Sequence, residues 1–309
     1  MKALMLALLA STALVAPAQA TETPADTEAT GNDFGVLVMA HGGKPDWERE
    51  VAAALAPLEA EQPFEIAWGM ADAASLQAAV DKLEARGVDR IGVVRLFVSG
   101  ESWYDRTRQI LGLEPGAPAP PAPDPHAGHH GHGGGNGSHG GHSMEFWQLD
   151  ADASFAISKD GLMDAPEMGQ VLATRAEALA TDPASESVLI LAHGPADDDE
   201  DARWKAQLDE RADLVRALGF RHVQVETLRE DWPEKRKEAE ARVRAYVEAA
   251  ARDGGRAIVI PFRVQGFGPY EKVLAGLDYV SDGRGLVPHP AVAEWVRREA
   301  AALRAELAE

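Results

Sequence analysis

The chain has 309 residues, no cysteine, and 50 acidic against 30 basic side chains, a formal charge of −20. That surplus excludes a nucleic-acid or anionic-membrane surface as the main business of the molecule, since phosphates demand a basic face. The lack of thiols excludes a disulfide framework and thiolate catalysis.

Residues 1–20, MKALMLALLASTALVAPAQA, place Lys2 ahead of an apolar run and end on Ala18-Gln19-Ala20, the small residues a signal peptidase reads. Ser11 and Thr12 interrupt the run, which is shorter than the roughly 20 apolar residues of a bilayer span. We expect a secretory signal cleaved near Ala20, export to the bacterial periplasm or medium, and a soluble mature chain without a membrane span. Residues 21–33 are acidic, polar and without periodicity, which predicts a disordered leader.

Short β-branched runs then alternate with helical patterns. GVLVMA reads as a buried strand and WEREVAAALAPLEAE as a helix. FEIAWG is a second strand, ASLQAAVDKLEARG a helix stopped by Gly87, and IGVVRLFV a third strand. VLILAH, DARWKAQLDERADLVRALG, HVQVETL, PEKRKEAEARVRAYVEAAARDGG and AIVIPFRV repeat the order. Strand runs without polar alternation, separated by helices, predict mostly parallel sheets covered on both faces.

The repetition extends to residues. GVLVMAHGG matches SVLILAHGP, so that His41 corresponds to His193, an offset of 152. Segment 91–111 matches 257–277 at an offset of 166, and the helix-opening segments 161–180 and 285–304 match at 124. Three matches in one order indicate two copies of one unit. The fall from 166 to 124 makes the first copy 42 residues longer there, and the excess is the Pro/Gly/His-rich stretch at about 113–143. We expect an α/β fold of two similar domains, 34–183 and 184–309, related by internal duplication.

His41 and His193 each directly follow the first strand of a copy and precede glycine. Ligands of open α/β sheets bind beyond the carboxyl ends of the strands. An imidazole there either caps its strand through a local hydrogen bond or serves as metal ligand or base. Lys44, Arg95, Arg106 and Arg263 lie near predicted strand ends, and Arg95 in an apolar strand demands a reason.

These motifs, VLVMAHGG and VLILAHGP with RLFVSG and PFRVQG and the two G-L-x-x-x-P segments, resemble the sirohydrochlorin chelatases. These are the ATP-independent class II enzymes that insert cobalt, iron or nickel into a tetrapyrrole. The resemblance covers most of 34–309 outside the insertion. It implies two α/β halves with a site in the cleft between them. It makes His41 the residue that binds metal or accepts pyrrole protons, and His193 its counterpart. It also implies a cleft with cations for substrate carboxylates, for which Arg95, Lys44 and Arg263 are candidates. No organic cofactor is implied: the divalent ion (Co²⁺, with Fe²⁺, Ni²⁺ or Zn²⁺ as alternatives) and the tetrapyrrole are the partners, and no nucleic acid. The family's second histidine, just past the third strand, is missing from both copies: Ser102 and Trp103 stand there in one, Gly268 in the other. Glu101 is the candidate replacement as ligand or base, unless it is a helix-start acid.

Six of the ten histidines, His126, His129, His130, His132, His139 and His142, crowd the glycine-rich insertion. Their irregular spacing predicts exchangeable binding of borderline ions rather than a closed structural site. The run Asp197–Asp201 after the second Ala-His-Gly is read as a helix N-terminus or as a hard-cation patch. The sequence therefore supports an exported metal chelatase, with a periplasmic metal-binding or chaperone protein on the same scaffold as the alternative.

Overall fold

The computed structural model describes residues 33–122 and 144–309. The expected signal, residues 21–32 of the leader and the six insertion histidines lie outside the described residues.

In the first copy β1 (Phe34–Ala40) leads to α1 (Pro45–Leu55), β2 (Phe64–Trp68), α2 (Ala73–Glu84) and β3 (Arg90–Leu96). The short α3 (Tyr104–Ile110), β4 (Ser154–Ile157) and α4 (Glu167–Leu179) follow. The second copy runs β5 (Glu186–Ala192), α5 (Asp198–Arg211), α6 (Asp213–Arg216), β6 (His222–Thr227), α7 (Pro233–Ala250), β7 (Arg256–Phe262), α8 (Tyr270–Val273) and α9 (Pro290–Glu306). Pro45, Pro233 and Pro290 each open a helix, where a missing N–H costs nothing. Asp72 caps α2 by accepting from the Ser75 N–H at 2.9 Å.

Two all-parallel sheets result, ordered β2-β1-β3-β4 and β6-β5-β7. Beyond β7 a single bridge, Ile258 to Val280, occupies the place of β4. The register repeats: Ala40 pairs with Trp68 and Leu96, and Ala192 pairs with Thr227 and Phe262. The central strands β1 and β5 are buried on both faces throughout, as their apolar runs require, whereas the edge strands β2, β4 and β6 are only partly buried. Val36, Val38 and Ala40 join a core shared with Val188, Ile190 and Ala192 of the other copy. The alternate residues Leu37 and Met39, and Leu189 and Leu191, face separate outer cores.

The shared core arises because each copy sends its last helix to the other. α9 packs on β3 and β4, and a Cβ at Gly92 would sit 3.2 Å from the Leu303 Cβ. α4 packs on β7, α5 and α6, with Gly169 close against the Arg211 carbonyl. The described residues accordingly belong to one compact unit. The connections to these helices repeat as well. Leu162 and Met163 donate to the carbonyls of Phe97 and Val98, and Leu286 and Val287 to those of Arg263 and Val264. No helix among the described residues is long and apolar enough to cross a membrane.

Candidate functional site

The chain must reverse sharply after β1 and β5, and the glycine behind each histidine lets it do so. Gly42 and Gly194 have φ of 74° and 81°, a region that strains any other residue. At Gly194 the turn is also crowded: a Cβ would fall 2.7 Å from that of Thr227. Each imidazole then folds back on its own turn, His41 Nδ1 donating to Gly42 O at 2.9 Å and His193 Nδ1 to Gly194 O at 2.7 Å. At His41 that bond places the proton of a neutral ring on Nδ1 and leaves the Nε2 lone pair for a metal ion or a proton.

The two rings differ at Nε2. His193 Nε2 lies 3.1 Å from Asp231 Oδ2, and Trp232 meets its ring edge-on at 6.1 Å. His41 is exposed and its Nε2 has no hydrogen-bond or ion-pair partner among the described residues. The Asp231 contact comes from residues 229–232, Arg-Glu-Asp-Trp, directly behind β6. Arg229, at φ 56°, donates to the carbonyls of Pro195, Ala196 and Asp197 and pairs with Asp198 and Asp201. Glu230 donates its N–H to His193 O and accepts from Arg263 Nη1 at 2.5 Å. These four residues hold the His193 turn from three sides.

Both histidines open onto one cleft of about 670 Å³ at the carboxyl ends of β1, β3, β5 and β7. Four tryptophans, Trp47, Trp103, Trp204 and Trp232, line it with Phe97 and Phe262. Its charged lining consists of Glu200, Asp231 and Arg263 beside the two imidazoles. Burial raises the Glu200 carboxyl above its ordinary range, the nearby Glu101 and Asp197 add to this, and Arg203 opposes it. Burial alone would lower the Arg263 guanidinium, but Tyr270, Glu230 and Asp231 around it hold it above its usual value.

Of the sequence-derived candidates among the described residues, the cleft brings together His41, His193 and Arg263, and not Arg95, Glu101, Lys44 or Arg106. Arg95 is a correction. It is fully buried, and its guanidinium donates to the carbonyls of Ser158, Gly100, Ser102 and Lys159 at 2.7–3.0 Å over the face of Tyr104. The cation stands in an apolar strand because it ties down the turn behind β3, and it is not aimed at a ligand. Burial pulls its pKa down to about 10, which leaves it charged at neutral pH. Glu101 is exposed at 3.4 Å from Arg203 and outside the lining, and Lys44 is exposed at the start of α1. Arg106 donates to the carbonyls of Ala71, Met144 and Glu145 and anchors the return of the insertion.

The positions of the absent family histidine have their own occupants. Ser102 and Trp103 face the cleft, whereas a Cβ at Gly268 would meet the Arg263 guanidinium at 2.8 Å. The acidic run is a helix start. Asp197 caps Glu200 N at 2.9 Å, Asp198 pairs with Arg229 and Lys235, and Asp201 is buried against Thr227, Arg229 and Lys205. Among the described residues no three acidic or histidine side chains gather as a metal site. Asp231 and the tryptophan walls escaped the sequence reading, although a charged and aromatic quartet directly behind a strand was a usable signal.

No family model and no curated protein matches the chain. Solved structures do share its fold. SirB from Bacillus subtilis with Fe³⁺ superposes with a TM-score of 0.55 at 14% identity, over 88% of this chain and 98% of that one. The sirohydrochlorin chelatase SirB from Bacillus subtilis subspecies spizizenii in complex with cobalt gives 0.52 at 13%, over 87% and 96%. DR2241 from Deinococcus radiodurans, a multi-domain protein with structural similarity to chelatases, gives 0.51 at 21%, over 88% of this chain and 55% of that one. The chain thus spans about half the length of DR2241 and has a chelatase-like α/β fold.

Proposed function

We propose that this protein is an ATP-independent chelatase that places a divalent ion, cobalt first and iron, nickel or zinc as alternatives, into sirohydrochlorin or a related tetrapyrrole. The observation that carries the reading is the convergence of His41 and His193 on one aromatic-walled cleft at the strand ends. Metallation exchanges one M²⁺ for two pyrrole N–H protons. His41 Nε2 has the free lone pair to hold a borderline ion or to take the first proton. His193, held between Gly194 O and Asp231, offers a second place for a proton leaving the cleft. The tryptophan faces suit a flat macrocycle. The fold relatives named for sirohydrochlorin chelatase activity, or holding Fe³⁺ or cobalt, support the same reading. The leader at 1–20 supports export, and fractionation of cells producing the full chain tests that.

The test mixes leader-free protein with sirohydrochlorin and Co²⁺ and follows the absorbance change. Metallation faster than the uncatalysed reaction, and lost in His41→Ala, is the expected result. Ion binding with no acceleration would replace the enzyme reading by that of a metal-binding protein on a chelatase scaffold.

A further inference from the structure

We infer that Glu230 is a positioning residue of the cleft: it pins the Arg263 guanidinium as a grip for one carboxylate of the macrocycle, at a fixed place relative to His193. The inference rests on the chelatase reading, whose substrate is ringed with carboxylates. Arg263 borders the cleft directly behind β7, and its Nη1 donates to Glu230 Oε1 at 2.5 Å. Three further contacts hold the side chain where it is. The guanidinium lies 5.7 Å from the ring centre of the fully buried Tyr270. Gly268, at φ 62°, makes room for it, since a Cβ there would stand 2.8 Å away. The Arg263 carbonyl accepts from Leu286 N at 2.7 Å, so the backbone is tied as well.

A guanidinium carries five N–H donors, so the bond to Glu230 does not exhaust it. Arg263 keeps 28% of its side-chain surface exposed, against 11% for Glu230. Glu230 is thus the buried support, and Arg263 is the group a ligand meets. A cation already held in place loses less side-chain freedom when it grips a carboxylate. Glu230 is tied to the His193 turn too. Its N–H donates to His193 O at 3.3 Å, and Asp231, the next residue, meets His193 Nε2. One residue thereby sets the spacing between the carboxylate grip and the imidazole. The other copy has neither partner. Leu162 N donates to Phe97 O as Leu286 N does to Arg263 O, which puts Phe97 in the place of Arg263. Gly69 N donates to Ala40 O as Leu228 N does to Ala192 O, which puts Ala71 in the place of Glu230. The cation and its anion occur together in one copy and are replaced together by apolar residues in the other.

A double-mutant cycle on the full-length protein tests this. Wild type, Glu230→Gln, Arg263→Met and the double variant are titrated with uroporphyrin, a metal-free macrocycle ringed with carboxylates, and read by quenching of tryptophan fluorescence. KM and kcat for sirohydrochlorin and Co²⁺ are measured alongside. Arg263→Met should weaken binding at least about tenfold, as loss of a charge-assisted hydrogen bond does. Glu230→Gln should raise Kd and KM about fivefold with kcat nearly unchanged. In the Arg263→Met background it should change Kd by less than about twofold, because it acts through Arg263. Glu230→Asp, which keeps the charge, should recover part of the loss. A purely structural role would lower the urea midpoint and leave the affinity of the folded protein as it was. Unchanged or tighter binding by Glu230→Gln, or equal losses in both backgrounds, would overturn this inference, while metallation by the wild type keeps the chelatase reading. Uroporphyrin binding without accelerated metallation would overturn the chelatase reading and leave the grip to be decided by the affinities of the cycle. Failure of the wild type to bind would overturn both.

Discussion

Asp231 Oδ2 sits 3.1 Å from His193 Nε2, while the corresponding nitrogen of His41 has no partner among the described residues. Two histidines that are equivalent in the repeat thus have different chemical environments. Removing His41, whose Nε2 is open, should harm metallation more than removing the charge beside His193 Nε2. We expect His41→Ala to lower the metallation rate at least about 100-fold, as loss of an essential base or ligand does. Asp231→Asn, which keeps a hydrogen-bond partner but removes the charge, should cost about tenfold. Single-turnover absorbance kinetics at saturating metal separate the two, and equal losses would contradict the asymmetry.

Gly194 and Gly87 have nearly the same backbone, φ 81° and 82°, in different surroundings. A Cβ at Gly87 meets nothing within 4 Å, whereas at Gly194 it meets Thr227 and Arg229 at 2.7 and 3.0 Å. Gly87→Ala should cost about 1 kcal/mol from backbone strain alone. Gly194→Ala should cost about 2 kcal/mol more, since β6 or the Arg229 clamp must shift, and it should also disturb His193. Urea unfolding of both variants measures the difference.

Arg95 and Arg263 should separate stability from binding. Arg95→Met leaves the carbonyls of Ser158, Gly100, Ser102 and Lys159 without their charged donor and should destabilise the fold by about 3 kcal/mol. Arg263→Met removes a cation from the cleft wall and should weaken macrocycle affinity more than it lowers the urea midpoint.

His289 caps α9, its Nδ1 accepting from Ala291 N at 3.1 Å, and Nε2 lies 3.3 Å from Thr174 Oγ1. Burial and then the nearby Arg175 lower its pKa, so the folded state favours the neutral ring. The unfolded chain takes up the proton first. Stability is therefore retained above the ordinary histidine pKa, about 6.5, and falls as pH drops below it. Protonation also removes the acceptor that caps the helix, a loss of about 1 kcal/mol. His289→Asn should keep the cap and flatten the stability profile between pH 7 and 5, measured by thermal unfolding.

The histidine-rich insertion makes its own prediction from composition. Replacing His126, His129, His130, His132, His139 and His142 by serine should lower the number of Co²⁺ or Zn²⁺ ions retained in equilibrium dialysis. The melting temperature without metal should stay the same. Unchanged ion retention would refute a metal-collecting role.

The duplicated layout was legible because both strands and histidines repeat in order. Buried parallel strands need continuous apolar runs, and those runs survive in both copies. β4 was not legible: Ser154–Ile157 has four residues, follows the insertion, and its counterpart has shrunk to Val280. The paired histidines were legible as a strand-end motif, but their inequality was not. It depends on Asp231, 38 residues from His193 in sequence and adjacent only through the β5–β6 register. Arg95 misled for a physical reason. A cation in an apolar strand does need anions or dipoles, and here those dipoles are the protein's own carbonyls.

The exchange of α4 and α9 bears on how this chain could have arisen and how it can be taken apart. A fragment ending after α4 would expose the face of β3 that Leu303 covers and would carry a helix with no sheet to lie on. Two such fragments could satisfy each other by trading helices, which is the arrangement of a domain-swapped pair. The present molecule has that geometry written into one polypeptide. Gene fusion of a swapped homodimer would produce it directly, and it would free the two cleft faces to diverge into one bare and one carboxylate-held histidine.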